Sequence, residues 1–185
     1  AEVIWGGEQL ELMGPIYLMI NKPLGCVCAN RDSAHMTVFA HLDIPISDKL
    51  HTVGRLDLDT SGLLLITDDG KWSHRITSPK KKCPKVYHAW VSEPLTEENI
   101  QAFAQGLELT GETTLTAPAV LEIINEHEAL VHVHEGRYHQ VRRMFAAVGN
   151  NVEKLHREQV GELKLDIDLL PGDYRFLSAE EVALF

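Results

Sequence analysis

The sequence predicts a mixed α+β fold. Apolar runs that alternate like strands are interspersed with amphipathic segments of helical period, and their irregular order includes hairpin-like pairs. The chain has 185 residues, of which 44% are hydrophobic and 24% charged, which suits one globular domain with a core of its own. The sequence contains no internal repeat, low-complexity segment or linker that would divide it into separate domains.

Strands are predicted in the first half of the chain where apolar residues alternate or run together between turn residues. These strands cover residues 16–20, 27–29, 63–67 and 86–91. Thr37 can cap a short helix over residues 38–42. A second helix is predicted over residues 72–76, and Ser78 and Pro79 end it.

The second half of the chain begins with a helix that Thr96 caps and Gly106 ends, with acidic residues in its first turn. Residues 119–124 and 129–135 are predicted to pair as antiparallel strands. A helix follows over residues 136–148, because its apolar positions recur at i, i+3, i+4 and i+7. Two more elements are predicted near the end of the chain: a strand over residues 163–167 and a short helix capped by Ser178.

The cysteines and the hydropathy pattern narrow the class of protein. An odd number of cysteines (Cys26, Cys28 and Cys83) without framework spacing argues against a disulfide scaffold and for a reducing compartment. No second cysteine pair stands at zinc-binding distance, so we expect no metal site. No apolar run approaches the ~20 residues of a membrane span, and no signal peptide is visible. We therefore expect a cytoplasmic protein with no membrane contact.

The net charge of −10 argues against a polyanionic partner, but the basic residues are clustered. Residues 70–92 carry six basic residues and no acid, and residues 136–157 carry five against one acid. These two windows hold eleven of the seventeen lysines and arginines. Because salt screens distant charges beyond ~8–10 Å, a locally basic surface on an acidic protein can still attract phosphate.

The most informative segment is the polar turn at residues 54–62, which directly precedes the apolar run at 63–67. It places two carboxylates, Asp57 and Asp59, beside a core strand, where a charge needs a partner. Arg55 is the nearest candidate for that partner. Charged loops held on rigid strands often carry catalytic groups, although Asp and Gly are also ordinary turn residues.

A second polar cluster, residues 135–143, leads into the helix predicted next. Helix geometry places Arg142 on the same side as His139, away from the core stripe. Since arginine forks onto carboxylates and phosphates, Arg142 could pair with Asp57, although a basic surface helix would give the same pattern. Tyr87 lies on a predicted strand, where its ring can stack on a nucleobase or belong to the core.

Signatures of several enzyme classes are missing from the sequence. It has no G-x-S-x-G nucleophile turn, no H-E-x-x-H zinc motif and no G-x-x-x-x-G-K-S/T phosphate loop. Asp57 and Asp59 could act as a glycosidase-like pair, but side chains two apart on an extended segment point in opposite directions. The residues alone therefore support an aspartate-dependent enzyme or an RNA-binding module.

Four segments together resemble the RsuA-type pseudouridine synthases, and they occur in that family's order across nearly the whole chain. They are KPLG at 22–25, GRLDLDTSGL at 54–63, KVY at 85–87 and GRYHQVRRMF at 136–145. Residues 67–79 further resemble the branch that acts on 16S rRNA. The resemblance implies the pseudouridine synthase catalytic fold, a mixed, mostly antiparallel sheet with flanking helices.

The resemblance also implies residue roles. Asp57 would be the catalytic aspartate, which attacks the ribose C1′ or assists glycosidic cleavage, while Asp59 would brace the loop. Tyr87 would stack on the target uracil, and Arg142 would hold Asp57 ionised and aimed through a contact of ~3 Å. The isomerisation needs no metal, redox cofactor or energy source. RNA contacts are expected from a set of basic and polar residues: Arg55, Lys80, Lys81, Lys82, Lys85, Arg137, His139, Gln140 and Arg143.

Members of this family usually carry a small basic RNA-binding module ahead of the catalytic domain. We expect residues 1–14 to be the lead-in from such a module, absent here, and residues 15–185 to be the catalytic domain. The implied partner is 16S rRNA or a small-subunit assembly intermediate, bound by a monomer. Three alternatives stay open: a 23S-directed synthase of the same family, a catalytically silent RNA-binding or ribosome-assembly factor on this fold, and an aspartate-dependent glycosidase or nucleosidase.

Overall fold

The computed structural model of the protein describes residues 14–185, so nearly all of the lead-in predicted at residues 1–14 lies outside the described residues. The strands are β1 (Tyr17–Lys22), β2 (Cys26–Val27), β3 (Met36–Thr37), β4 (His51–Thr52), β5 (Thr60–Thr67), β6 (Lys85–Val91), β7 (Val120–Asn125), β8 (Glu128–Val133), β9 (Val152–Val160), β10 (Leu163–Lys164) and β11 (Tyr174–Phe176). The α-helices are α1 (Gly70–Thr77), α2 (Glu97–Gln105), α3 (Gln140–Ala147) and α4 (Ala179–Val182). Short 3₁₀ helices cover Val38–His41 and Pro79–Lys81.

Nine of these strands form one sheet within residues 14–185. Its order is β11-β1-β5-β9-β6-β8-β7, with β4 added to β5 and β10 added to β9. The β5–β9 pairing is parallel, and the other pairings of this sheet are antiparallel. Helices flank the sheet, and the predicted α+β fold with a mixed, mostly antiparallel sheet is confirmed.

The helices begin where side chains satisfy free backbone N–H groups. Asp69 accepts hydrogen bonds from the backbone of Lys71 and Trp72 at the start of α1. Thr96 and Ser178 each form a reciprocal capping box, at α2 and α4 respectively. Such caps stabilise a helix by ~1 kcal/mol, which explains why short helices persist here. The predicted caps at Thr96 and Ser178 are confirmed.

The core packs on both faces of the central strands. Along β1, Leu18 and Ile20 belong to one buried cluster, while Met19 between them belongs to another. β5 does the same, with Leu64 and Ile66 on one face and Leu63 and Leu65 on the other. A strand that is buried on both faces appears in the sequence as a continuous apolar run, and this explains why residues 63–67 could be predicted as a strand.

The sequence prediction missed β9, although this strand lies at the centre of the sheet. Its buried positions include Val152, Leu155 and Val160, and they follow neither a strand nor a helix period. A buried arginine, Arg157, also interrupts the apolar pattern. The strand predicted over residues 163–167 is in turn shorter than expected and ends at Lys164.

Candidate active site

A cleft of about 1130 Å³ lies over the middle of the sheet. It is lined by the loop that precedes β5, by residues of β6 and β9, and by the segment that leads into α3. The three residues predicted to be catalytic, Asp57, Tyr87 and Arg142, all line it. The structure therefore brings together residues that come from three distant parts of the chain.

Residues 53–60, which we call the Asp57 loop, contact Lys22 at the end of β1. The Lys22 side chain is fully buried, and its Nζ donates to the carbonyl oxygens of Asp57 at 3.0 Å and Thr60 at 2.8 Å. A third bond, of 3.1 Å, goes to the carbonyl of Pro23. Burial lowers the pKa of Lys22, and the three carbonyls supply the hydrogen bonds that a buried ammonium needs. The bonds to Asp57 and Thr60 fix the backbone of the loop from Asp57 to its junction with β5.

Leu56 gives the loop a second anchor. Its side chain is buried, and its backbone N–H donates to Cys28 Sγ at 3.3 Å. The Cys28 thiol is also 3.3 Å from the carbonyl oxygen of Leu56. Because Leu56 points into the core, its neighbours Arg55 and Asp57 are turned outward. This explains the arginine-leucine-aspartate order at this place.

The imidazole of His139 contacts the carboxylate of Asp57. Its Nε2 lies 3.3 Å from Oδ1 of Asp57, and both side chains are partly exposed to the cleft. The His139 backbone is left-handed, with φ 47°, and it directly precedes α3. The imidazole also stacks on the ring of Tyr138, with the ring centres 3.8 Å apart. The start of α3 thus contacts the Asp57 loop through His139.

The expected Asp57–Arg142 contact is wrong for this structure. Among the described residues, the ion-pair partner of Arg142 is Asp59, at 3.5 Å from Nη2. The same nitrogen donates to the backbone carbonyl of Asp59 at 2.8 Å, and Nη1 donates to the carbonyl of Val152 at 3.2 Å. Arg142 stands about one helical turn beyond His139, so it meets the loop two residues beyond Asp57. Arg142 therefore braces the loop and links it to β9.

Tyr87 occupies β6 at the floor of the cleft. It is half-buried, packs against two of the core clusters and pairs with Arg157 across to β9. Lys85 lies two residues earlier on the same strand, so its side chain points to the same face. We call Lys85, Tyr87 and Arg157 the cleft floor.

Three of the residues predicted to contact RNA use their polar atoms inside the protein. Gln140 is buried, and its Nε2 donates to Glu135 at 3.0 Å. Arg137 donates to backbone carbonyls near residue 115, and Arg143 donates to backbone carbonyls of Tyr138 and Thr110. These bonds hold the segment before α3, so the geometry favours a bracing role for the three residues over RNA contact.

The other predicted RNA contacts lie in or beside the cleft. Lys85 and His139 are inside it. Arg55 and Lys82 are exposed and line the cleft, and Lys80 and Lys81 are exposed directly before Lys82 in the chain. We call these four residues the basic rim. Exposed cations at the edge of a concave site suit the phosphodiester backbone of a nucleic acid.

Two residues of the site had no role in the sequence interpretation. Lys22 is the first residue of the KPLG segment at 22–25. Its role could have been suspected because a charged residue there continues an apolar strand directly before a proline. Arg157 lies in the strand that was missed. A cross-strand neighbour of Tyr87 can only be named once the β6–β9 register is known.

Comparison with known proteins decides the family. A model of the family described as RNA pseudouridylate synthase matches residues 16–147. The chain belongs to this family. It is 53% identical over 181 residues to the ribosomal small subunit pseudouridine synthase A of Vibrio cholerae, covering 98% of this chain and 78% of that protein. It is 51% identical over 183 residues to the protein of the same name from Escherichia coli K12, covering 98% and 79%.

Two solved structures share the fold of this chain. One described as a crystal structure of pseudouridylate synthase superposes with a TM-score of 0.89 at 46% identity, covering 99% of this chain and 76% of the other. An H/ACA RNP bound to a substrate RNA shares the fold alone, with a TM-score of 0.57 at 17% identity over 84% of this chain and 50% of that chain. The protein is thus a pseudouridine synthase enzyme. In the described part of the chain, none of the helices has the length and apolar character required to cross a bilayer.

Proposed function

We propose that the protein converts one uridine of 16S small-subunit rRNA to pseudouridine, with Asp57 as the nucleophile. The names of relatives more than 50% identical over nearly the whole chain support the small-subunit target. The observation that carries the assignment is the cleft shared by Asp57, Tyr87 and Arg142. No single segment of the chain could supply this combination, since the three residues come from a loop, a strand and a helix.

The reaction needs a group that can hold C1′ while the base is detached. In the proposed course, a carboxylate oxygen of Asp57 bonds to C1′ of the target ribose as the bond from C1′ to N1 of uracil breaks. The electron pair of that bond leaves with the uracil. The base then turns, its C5 bonds to C1′, and the carboxylate of Asp57 is released. A proton is lost from C5 and one is gained at N1, so the product is an isomer of the substrate.

The neighbouring residues supply orientation. Tyr87 offers a ring face at the floor of the cleft, where stacking on a base is worth ~1–3 kcal/mol. Arg142 acts on the loop through the backbone of Asp59, and His139 is in reach of the Asp57 carboxylate. Positioning of this kind matters because a displacement of ~1 Å can lower a rate by ~10²-fold.

The RNA would enter with its backbone on the basic rim and its target base unstacked into the cleft. Arg55 and the three lysines of the rim face solvent and have no ion pair within residues 14–185, so phosphates can reach them. Binding should weaken steeply as salt is added, because each neutralised phosphate releases counterions. We propose that one monomer of the enzyme acts on one RNA site.

The test of this function compares Asp57→Asn with Asp59→Asn, a matched control on the same loop. The parent and each variant are incubated with 16S rRNA, with small-subunit assembly intermediates and with 23S rRNA, and pseudouridine is then mapped along each RNA. Asp57→Asn should yield no product, while Asp59→Asn should keep the reaction at a reduced rate. Pseudouridine formation by a folded Asp57→Asn variant would refute the role of Asp57. A parent enzyme that binds the RNA without modifying it would instead indicate a silent assembly factor, and product only in 23S rRNA would refute the target.

A further inference from the structure

We propose that Lys85 and Arg157 hold the detached uracil as an anion during the reaction. This inference rests on the proposed function, because it concerns the interval between breakage of the N1–C1′ bond and formation of the C5–C1′ bond. Within the described residues, Lys85 and Arg157 make no contact that would position Asp57, so their presence at the cleft floor calls for another explanation.

The sheet register places both cations beside Tyr87. Arg157 on β9 is the direct cross-strand partner of Tyr87 on β6. Directly opposed residues on neighbouring strands have Cβ atoms ~5 Å apart and face the same side of the sheet. Lys85 lies two residues before Tyr87 on β6 and so shares that side. All three residues line the cleft, so a base that stacks on Tyr87 has a cation on two sides.

Neither cation is neutralised by the protein. Arg157 is 95% buried, with a relative exposure of 5%, and its Nε donates to the carbonyl of Leu63 at 3.0 Å. Its two Nη atoms form no hydrogen bond to any residue of 14–185, and Lys85 Nζ forms none either. Burial lowers the pKa of Lys85, and the neighbouring Arg157 cation lowers it further.

The carboxylates of the cleft are already engaged elsewhere. The Asp57 carboxylate contacts the imidazole of His139, Asp59 pairs with Arg142, and Glu135 pairs with Arg137. A buried and a half-buried cation that have no anion beside them carry a desolvation cost that a bound anion would offset. Within residues 14–185, the cleft floor is therefore a built site for negatively charged oxygen.

The reaction generates such a group at this place. When the N1–C1′ bond breaks, the electron pair stays on uracil and is shared between N1 and the carbonyl oxygens O2 and O4. Fixed charges aimed at developing charge in a site with little water are worth far more than in solvent. The two cations would stabilise this anion and keep it in the cleft while it turns. When C5 bonds to C1′, the electron pair is used in that bond, and the cations are again without a partner.

A backbone phosphate is the other anion that could occupy this position. The exposed cations that suit a phosphate lie at the edge of the cleft, in the basic rim. Arg157 and Lys85 instead sit at the depth of the ring of Tyr87, where a flipped base would stand. We therefore assign them to the base, and the experiment distinguishes the two.

The test compares Lys85→Met with Lys82→Met, a rim lysine of the same cleft, at saturating 16S rRNA. Lys85→Met should lower kcat about 10²-fold, the usual cost of one lost charge-stabilising donor, with little change in KM. Lys82→Met should leave kcat within about twofold and raise KM instead. If Lys85→Met raises KM, loses salt dependence and recovers full kcat at saturation, then Lys85 binds phosphate and the proposal is overturned. Lys85→Arg should restore part of kcat, because it restores the charge.

A second measurement separates this role from a structural one. A fluorine at C5 of the target uracil withdraws electrons and stabilises the uracil anion by itself. Consumption of a 5-fluorouridine target should therefore suffer much less from Lys85→Met than consumption of uridine. An equal loss on both substrates would overturn the proposal. The proposed function is unaffected by either result, because it rests on the activity of the parent and of Asp57→Asn.

Discussion

Nε2 of His139 lies 3.3 Å from Oδ1 of Asp57, and this contact joins the start of α3 to the Asp57 loop. His139 adopts a left-handed backbone with φ 47°, which costs a residue with a side chain of order 1 kcal/mol. Such a conformation persists where the surroundings enforce it, and it often accompanies a functional site. Here the chain turns before the helix begins, and the turn brings the imidazole to the carboxylate.

His139→Asn should separate the pairing from the backbone turn. Asparagine tolerates the left-handed region better than other residues with side chains, but its side chain is too short to replace the imidazole at Asp57. We expect the free energy of unfolding to change by less than about 0.5 kcal/mol and kcat to fall about tenfold, because the carboxylate is less well held. Urea unfolding and single-turnover kinetics on the same preparation measure both. Undiminished kcat in the folded variant would show that Asp57 is oriented by other contacts.

Lys22→Met should destabilise the protein although no exposed surface changes. Methionine has a similar length but no donor, so the carbonyl oxygens of Pro23, Asp57 and Thr60 lose a charged partner inside the protein. We expect the free energy of unfolding to fall by about 3 kcal/mol, with a loss of kcat because the loop is no longer fixed. Urea titration gives the first quantity. The exposed Lys49→Met is the control, and a loss as large there would rule out the buried carbonyls as the cause.

The sequence did not predict which side chain contacts Asp57, because the contact depends on where α3 begins. The sequence predicted a helix from residue 136, which would place Arg142 on the same face as His139. In the structure α3 begins at Gln140, after a turn closed by the bond from Gln140 N–H to the carbonyl of Arg137. That later start puts His139 against Asp57 and Arg142 against Asp59. A shift of a few residues at a helix end is below what periodicity can resolve, yet it decides the partner of Asp57.

Elements with a simple burial pattern were predictable, and those with mixed burial were not. β5 is buried on both faces and β6 largely alternates, so both were visible in the sequence. β9 contributes buried apolar residues to the core and a buried arginine to the cleft floor, and these two tasks disrupt its pattern. Departures from the usual burial pattern of a strand are expected at functional sites, because a residue there is selected for its chemistry.

Gly62→Ala should disrupt the β5–β9 pairing. The glycine has φ 114°, and a Cβ there would lie 2.1 Å from the carbonyl oxygen of Arg157. Since that atom is backbone in the middle of the sheet, it cannot move without breaking the pairing. We expect a loss of about 3 kcal/mol or more in the free energy of unfolding, or failure to fold, as measured by thermal unfolding.

Gly70→Ala is the matched control for this substitution. Gly70 opens α1, and a Cβ there would meet nothing within 4 Å. Alanine at this place should leave the free energy of unfolding unchanged or raise it by up to about 1 kcal/mol, since it restricts the unfolded chain. Equal losses for both variants would mean that the close approach to Arg157 is not the cause.

Glu181→Gln should lower stability at neutral pH, and this loss should shrink as the pH falls from the unfolded pKa of Glu181 towards its folded pKa. Both carboxylate oxygens of Glu181 accept hydrogen bonds of 2.8 Å from Arg175, and these bonds lower the pKa of Glu181 from the ordinary 4.5 to about 2. A lowered pKa adds stability above the unfolded value and loses it as the pH falls towards the folded value. The variant should therefore be less stable by about 1 kcal/mol at neutral pH, and most of this difference should be gone by about pH 3. Urea unfolding of both proteins across this pH range measures the difference, and a difference that stays constant down to pH 3 would contradict the charge of Glu181 as its source.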